Sequence, residues 1–191
     1  MGRSNVGKSS LINALTRRRL ARASAAPGKT RLANIYRVQR GSGPALYLVD
    51  LPGYGYARGG AAAAHEFDDL TAAYFGVQRP AAILLVDARH PGLASDLAAW
   101  QWLKDTAADA AVVATKIDKL ARGERIRAMR ELESVVEDSV LPVSAVTGEG
   151  LDELWKLIDR LANSRNRNRR SSPSSPPRAT APPPTKRLRK R

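Results

Sequence analysis

The chain has 191 residues, is 43% hydrophobic, contains no cysteine and carries a formal net charge of +14. That length and apolar content suit one packed domain with an appendage, and the missing thiols exclude disulfides and thiolate metal sites. No apolar run approaches the roughly 18 residues of a membrane-spanning helix and no signal-peptide pattern opens the chain, so a soluble, cytoplasmic protein without membrane contact is expected.

The first element is Gly2-Arg3-Ser4-Asn5-Val6-Gly7-Lys8-Ser9, spaced G-x-x-x-x-G-K-S. This spacing is that of a loop that wraps phosphate. Glycines at both ends let the backbone curl so that successive N–H groups point inward. Lys8 adds a point charge for the outer phosphates, and the Ser9 hydroxyl is a Mg²⁺ ligand. Ser9 to Leu15 reads as a helix whose N-terminal dipole adds to the anion site.

A loop of this kind should follow a buried parallel strand, yet only Met1 precedes it. A central strand buries apolar surface on the scale of a whole domain's stability and pairs the ladder groups of both neighbours. The pattern therefore predicts a poorly stable chain whose natural start lies further upstream. The competing expectation is that the flanking strands close up, or that a partner donates a strand.

A basic loop from Ala21 to Arg31 follows, containing Pro27-Gly28-Lys29-Thr30. Ala33 to Arg40 alternates apolar and polar residues and predicts a strand; Gly41-Ser42-Gly43-Pro44 turns the chain. Ala45 to Val49 is continuously apolar, as a buried strand is, and runs into Asp50-Leu51-Pro52-Gly53. Phe67, Leu70 and Tyr74 carry helical spacing. Ala81 to Val86 predicts a third strand ending at Asp87, and Leu93, Leu97, Trp100 and Leu103 another helix. Trp102 falls off that stripe, open to packing on a neighbour or to a partner surface. Ala110 to Ala114 is a strand entering Thr115-Lys116-Ile117-Asp118. Ile126 to Val136 is a helix, Val140 to Val143 a strand leading to Ser144-Ala145, and Leu151 to Leu161 the last amphipathic helix. Strands alternating with helices predict a layered α/β fold with a mostly parallel sheet and ligands at the strand ends.

From Asn163 the pattern stops. Ten of the 32 Lys and Arg lie in residues 163–191, which hold no acid and six of the twelve prolines. Too little apolar surface remains there to offset ordering entropy. The predicted organisation is a folded domain over 1–162 and a disordered basic tail over 163–191.

The strand ends then supply partners for the first loop. A carboxylate at Asp50 can hold Mg²⁺ through water, and the Gly53 N–H can reach a γ-phosphate. Thr30 lies where a second hydroxyl ligand would come from. Asp118 can accept both N1–H and the exocyclic amine of guanine, which adenine does not offer; selection of this kind reaches about 10⁴–10⁵-fold. A backbone N–H at Ser144-Ala145 can meet guanine O6.

In this wording — GRSNVGKSSLINAL, PGKT, DLPGYGYA, TKID and SA — the chain closely resembles the EngB (YihA/YsxC) family of translation-factor-type GTPases over about Gly2 to Ala162. The resemblance implies a three-layer P-loop GTPase fold, here without its first, central strand. It implies GTP/GDP as ligand and slow GTP hydrolysis by a switch, with Mg²⁺ on Ser9, Thr30 and Asp50. Nucleotide contacts are implied at Gly2, Ser4, Asn5, Val6, Gly7, Lys8, Ser9, Ser10, Thr115, Lys116, Asp118, Ser144 and Ala145. Lys8, Thr30 and Gly53 would serve the chemistry.

The implied setting is assembly of the large ribosomal subunit, with rRNA as partner, a role in cell division and growth, and a monomeric state. Tyr54 stands where many small GTPases place a water-orienting glutamine, which implies slow unaided hydrolysis. Asn5 matches a loop asparagine that helps ligate K⁺ in related GTPases. The tail's charge suits RNA phosphates. The alternative reading is a non-enzymatic RNA-binding remnant working through that tail.

Overall fold

The computed structural model describes residues 1–21, 33–54, 71, 74–76 and 79–171, with side chains as far as residue 164. Its elements are α1 (Lys8–Thr16), β1 (Asn34–Val38), β2 (Leu46–Asp50), β3 (Ala81–Asp87), α2 (Ala94–Thr106), β4 (Asp109–Thr115), α3 (Arg122–Val136), β5 (Val140–Pro142) and α4 (Leu151–Ser171). Strands β3, β4 and β5 pair in parallel, and β1 pairs with β2 in a separate antiparallel ladder.

The continuous apolar runs of β3 and β4 follow from burial on both faces. Leu84 and Val86 pack with Val112 and Ala114 toward Trp100 and Leu103 of α2 and Leu132 and Val136 of α3. The alternate residues Leu85, Ala111 and Val113 pack in a second cluster with Val6, with Leu11 and Leu15 of α1 and with Leu154, Trp155, Ile158 and Leu161 of α4. Two helical layers thus sandwich the sheet. Helix α3 shows the logic of one element: Ala128, Leu132 and Val136 recur every fourth residue and are buried, while Glu124 accepts the Ala121 N–H at 2.9 Å and closes the first turn.

Between the two ladders lies Met1-Gly2-Arg3. The Met1 nitrogen donates to Ile83 O at 2.8 Å, and the Leu85 N–H donates to Met1 O at 2.8 Å. Gly2 bridges Leu85, and Arg3 bridges Tyr54, both in parallel. These three residues occupy the place of the expected central strand and join the ladders across it.

Two expectations need correction. The segment Ala45 to Val49 was expected to be a buried strand; β2 is instead the partner in a hairpin, and Tyr47 on it is 65% exposed. The last helix was expected to end near Ala162; α4 continues to Ser171, because arginine is a good helix former and extending an existing helix is far easier than nucleating one. Residues 172–191 lie outside the described residues.

The three tryptophans stand at three seams. Trp100 Nε1 donates to Val136 O at 3.0 Å, tying α2 to α3. Trp102 meets Phe75 edge-to-face at 4.9 Å, so packing explains it. Trp155 on α4 lies under the Arg40 guanidinium, 5.5 Å from the ring centre, at the end of the β1–β2 hairpin.

Candidate nucleotide-binding site

The phosphate loop has the shape its spelling demands. Gly7 has φ 107°, a conformation that favours glycine, and stands at the N-cap of α1 with no side-chain cap. The first amides of α1 are therefore left to an anion. Gly53 lies so close to the loop that a methyl on it would sit 2.7 Å from Ser4 N and 2.9 Å from Lys8 Nζ. Only glycine fits there, and its amide borders the lysine that would hold the outer phosphates. Lys8 Nζ donates to Gly2 O and Arg3 O, at 3.1 Å each. Burial lowers its pKa, with the charge of Asp50 opposing.

Asp50 closes β2 beneath the loop and is 4% exposed. Burial raises its pKa, while Lys8 pulls the other way. Its Oδ1 has no hydrogen-bond partner among the described residues. An unsatisfied buried carboxylate oxygen has the chemistry of a hard-cation ligand. Among the described residues no three His, Cys, Asp or Glu side chains converge on a metal. Thr30 and Tyr56 lie outside the described residues.

The base end is more finished. Asp118 sits in a short 3₁₀ turn, Ile117–Lys119. Its Oδ1 accepts the Ser144 hydroxyl at 2.7 Å, and Lys119 Nζ lies 3.5 Å from Oδ2. The Ser144 hydrogen bond, ahead of the opposing effect of burial, holds the Asp118 carboxyl below its usual range. Ser144 is fully buried and its oxygen also accepts the N–H groups of Val146 and Thr147, so the loop carrying Ala145 is tied to the same hydroxyl. Asn5 and Ser10 are exposed at the loop's outer face.

Thr115 plays a different part from a base contact. Its buried hydroxyl lies 2.7 Å from Val6 O and 3.0 Å from Val86 O, stitching the phosphate loop to β3. The neighbouring Lys116 reaches back across the loop to Asn5 O and to Asp87.

Three groups escaped sequence reasoning. Asp87 was read only as a strand end, and Arg89 and Asp96 not at all. Asp96, in the first turn of α2, accepts the Tyr54 hydroxyl at 2.9 Å, and Arg3 Nε lies 3.2 Å from the same oxygen. Burial, then the charge of Asp96, pushes the Tyr54 phenol well above its usual range. The phenol is thus committed to α2, and it packs on the apolar cluster around Trp100. The signal available was Asp-x-Arg after a strand, which places a guanidinium within reach of a strand-end carboxylate.

Residues 1–116 match the model of a family described as 50S ribosome-binding GTPase. The probable GTP-binding protein EngB of Lacticaseibacillus casei is 38% identical over 174 residues, covering 87% of this chain and 86% of the relative. That of Chlorobaculum tepidum is 42% identical over 164 residues, covering 83% of each. Among solved structures, Era of Aquifex aeolicus bound to GDP·AlF4⁻ superposes with a TM-score of 0.72 at 24% identity, over 84% of this chain and 54% of that one. A probable GTP-binding protein engB superposes with 0.61 at 23% identity, over 86% and 96%. These likenesses show the P-loop GTPase fold. With the phosphate loop, the strand-end carboxylate and the Asp118–Ser144 pair in place, the chain belongs to the EngB family of GTP-binding proteins and is a GTPase.

Proposed function

We propose that this GTPase is a guanine-nucleotide switch acting on the assembling large ribosomal subunit in the cytoplasm, as a monomer, in support of cell division and growth. The observation that carries the nucleotide part is the Asp118 carboxylate, held at 2.7 Å by a fully buried Ser144 hydroxyl. A carboxylate fixed in its ionised form meets two guanine donors and rejects adenine. The Ala145 N–H takes O6, while the amides from Gly2 to Ser10 and the Lys8 ammonium take the phosphates.

Ser9, Asp50 and Thr30 would hold Mg²⁺, which would supply positive charge to the phosphates. Gly53 presents its N–H to the third phosphate. Tyr54, engaged by Asp96, does not orient a water, so unaided turnover is slow. K⁺ bound through Asn5 supplies further charge; equal turnover in KCl and NaCl would remove that ion from the account.

Ribosome contact is supported by the family and by the ten bases of residues 163–191. Because α4 runs to Ser171, truncation after Ser171 removes six of those ten bases without cutting a helix, and changing Arg165, Arg167, Arg169 and Arg170 to Gln in the truncated chain removes the other four. Affinity for large-subunit rRNA should fall; an unchanged affinity would sink the tail's role.

The nucleotide reading is tested by titrating a fluorescent GDP analogue with Mg²⁺ and competing with unlabelled GTP or ATP. Saturable binding displaced by GTP and not by ATP is expected. Displacement by both would overturn the guanine selectivity, and no saturable binding with RNA affinity retained would overturn the whole reading in favour of a nucleotide-independent RNA binder.

A further inference from the structure

Asp87 closes β3, which carries neither the phosphate loop nor the Thr115–Asp118 turn. Its carboxylate is 4% exposed and collects four donors. Arg89 contributes its backbone N–H at 3.1 Å and Nε at 2.9 Å to Oδ1, and a terminal nitrogen at 2.7 Å to Oδ2. Lys116 Nζ completes the set at 2.9 Å to Oδ2. Burial alone would raise this carboxyl's pKa, but the bonds from Arg89 and Lys116 outweigh it and hold it well below the usual range.

Lys116 is held in an unusual way. Its backbone is left-handed, φ 61°, a strained conformation for a residue with a side chain that persists where surroundings over-determine it. Its stem lies over the phosphate loop, since a methyl on Gly7 would meet Cε at 3.8 Å. Its ammonium is shared between Asn5 O and Asp87, and Asn5 is itself left-handed, φ 62°. The side chain is stretched between two anchors two residues before Asp118. Remove Asp87, and Lys116 and Arg89 are two cations facing one another with nothing between them.

We infer that Asp87 is a positioning residue for nucleotide retention: it fastens Lys116 across the phosphate loop, and Arg89 holds the Asp87 carboxylate in the orientation that does so. The inference rests on the reading that this site holds a guanine nucleotide. Lys116 is tied at once to the phosphate loop and to Asp87, so loss of the Asp87 anchor loosens the loop around a bound nucleotide, and the release rate is the quantity to follow.

The experiment is a chase of fluorescent GDP from the full 191-residue chain by excess unlabelled GDP. If the unsubstituted chain retains no GDP, the site reading fails, and this inference with it. If it does, Asp87→Ala should release GDP about tenfold faster and Arg89→Ala about threefold faster. Asp87→Asn, which keeps an acceptor for Lys116, should recover most of the loss and lie within about threefold of the unsubstituted chain. If Asp87→Ala does not fold, Arg89→Ala carries the test, an unaltered release rate there overturning the inference. Adding Asp87→Ala or Asp87→Asn to Lys116→Ala should change release by less than about twofold, because the effect passes through Lys116. An unaltered rate in both Asp87 variants, or effects that multiply in the double variant, would overturn the inference while leaving nucleotide binding intact.

Discussion

Asp87 and Asp50 each close a strand of the same sheet system, yet one carboxylate collects four donors and the other keeps an oxygen with no partner among the described residues. The contrast extends to their surroundings. Toward the proposed base end, Thr115 and Lys116 bond to the phosphate-loop carbonyls of Val6 and Asn5, and Asp118 accepts the Ser144 hydroxyl. Toward the proposed phosphate end, Asp50 Oδ1 and Asp96 Oδ2 are buried oxygens without a hydrogen-bond partner among the described residues. Satisfied networks are rigid, whereas unsatisfied buried groups carry a desolvation cost that cations and anions are suited to relieve. On the proposed reading, selectivity is built into the frame and the phosphate end is completed by its ligands.

The sharpest way to break this comparison is at Asp118. Asp118→Asn should move preference from GTP toward xanthosine triphosphate by on the order of 10⁴-fold, read by competition against fluorescent GDP; retained guanine preference would place selectivity elsewhere.

The next effect is in stability and separates the two ladders. Leu84, fully buried in β3, should lose about 2–5 kcal/mol on Leu84→Ala. Ile35 in β1 is 64% exposed, and Ile35→Ala should change urea stability by less than about 0.5 kcal/mol. Comparable losses would mean that the hairpin is as deeply packed as the parallel strands.

Ser144→Ala removes the hydroxyl that fixes Asp118. A hydrogen bond to a charged group contributes about 1.5–3 kcal/mol, so GDP affinity should fall roughly tenfold or more, with guanine still preferred over adenine. A smaller effect is in pH. The folded Asp87 carboxyl titrates below its unfolded value of about 4, so it contributes stability above that pH and loses it as the pH falls further. The urea midpoint of the unsubstituted chain should drop more steeply below about pH 4 than that of Asp87→Asn. The smallest change should come from Arg125→Ala, which breaks a pair with the half-exposed Glu149 and should alter stability by no more than about 1 kcal/mol.

How far the sequence carried depended on how local each signal was. Strands β3 and β4 were legible because burial on both faces leaves an unbroken apolar run. The phosphate loop was legible because close backbone approach admits so few residues. The direction of β2 was not read from its apolar run, although the short Gly41–Pro44 connection held the answer: parallel neighbours need a crossover of a dozen residues or more, and only antiparallel strands join by a tight turn. Asp87 was invisible for another reason. A carboxylate at a strand end is ordinary, and its meaning arises from Lys116, 29 residues away. The extra turns of α4 lack an apolar stripe, so nothing periodic announced them.

The placement of the tryptophans gives this molecule an optical readout of its own. Trp155 shares its seam with Arg40, so its emission follows the fit of the hairpin's end against α4. Trp100, hydrogen-bonded to Val136, reports the junction of α2 and α3 instead. Two variants, each keeping one of these indoles, would let stopped-flow fluorescence time the two sides of the sheet separately, without a dye and without disturbing the nucleotide.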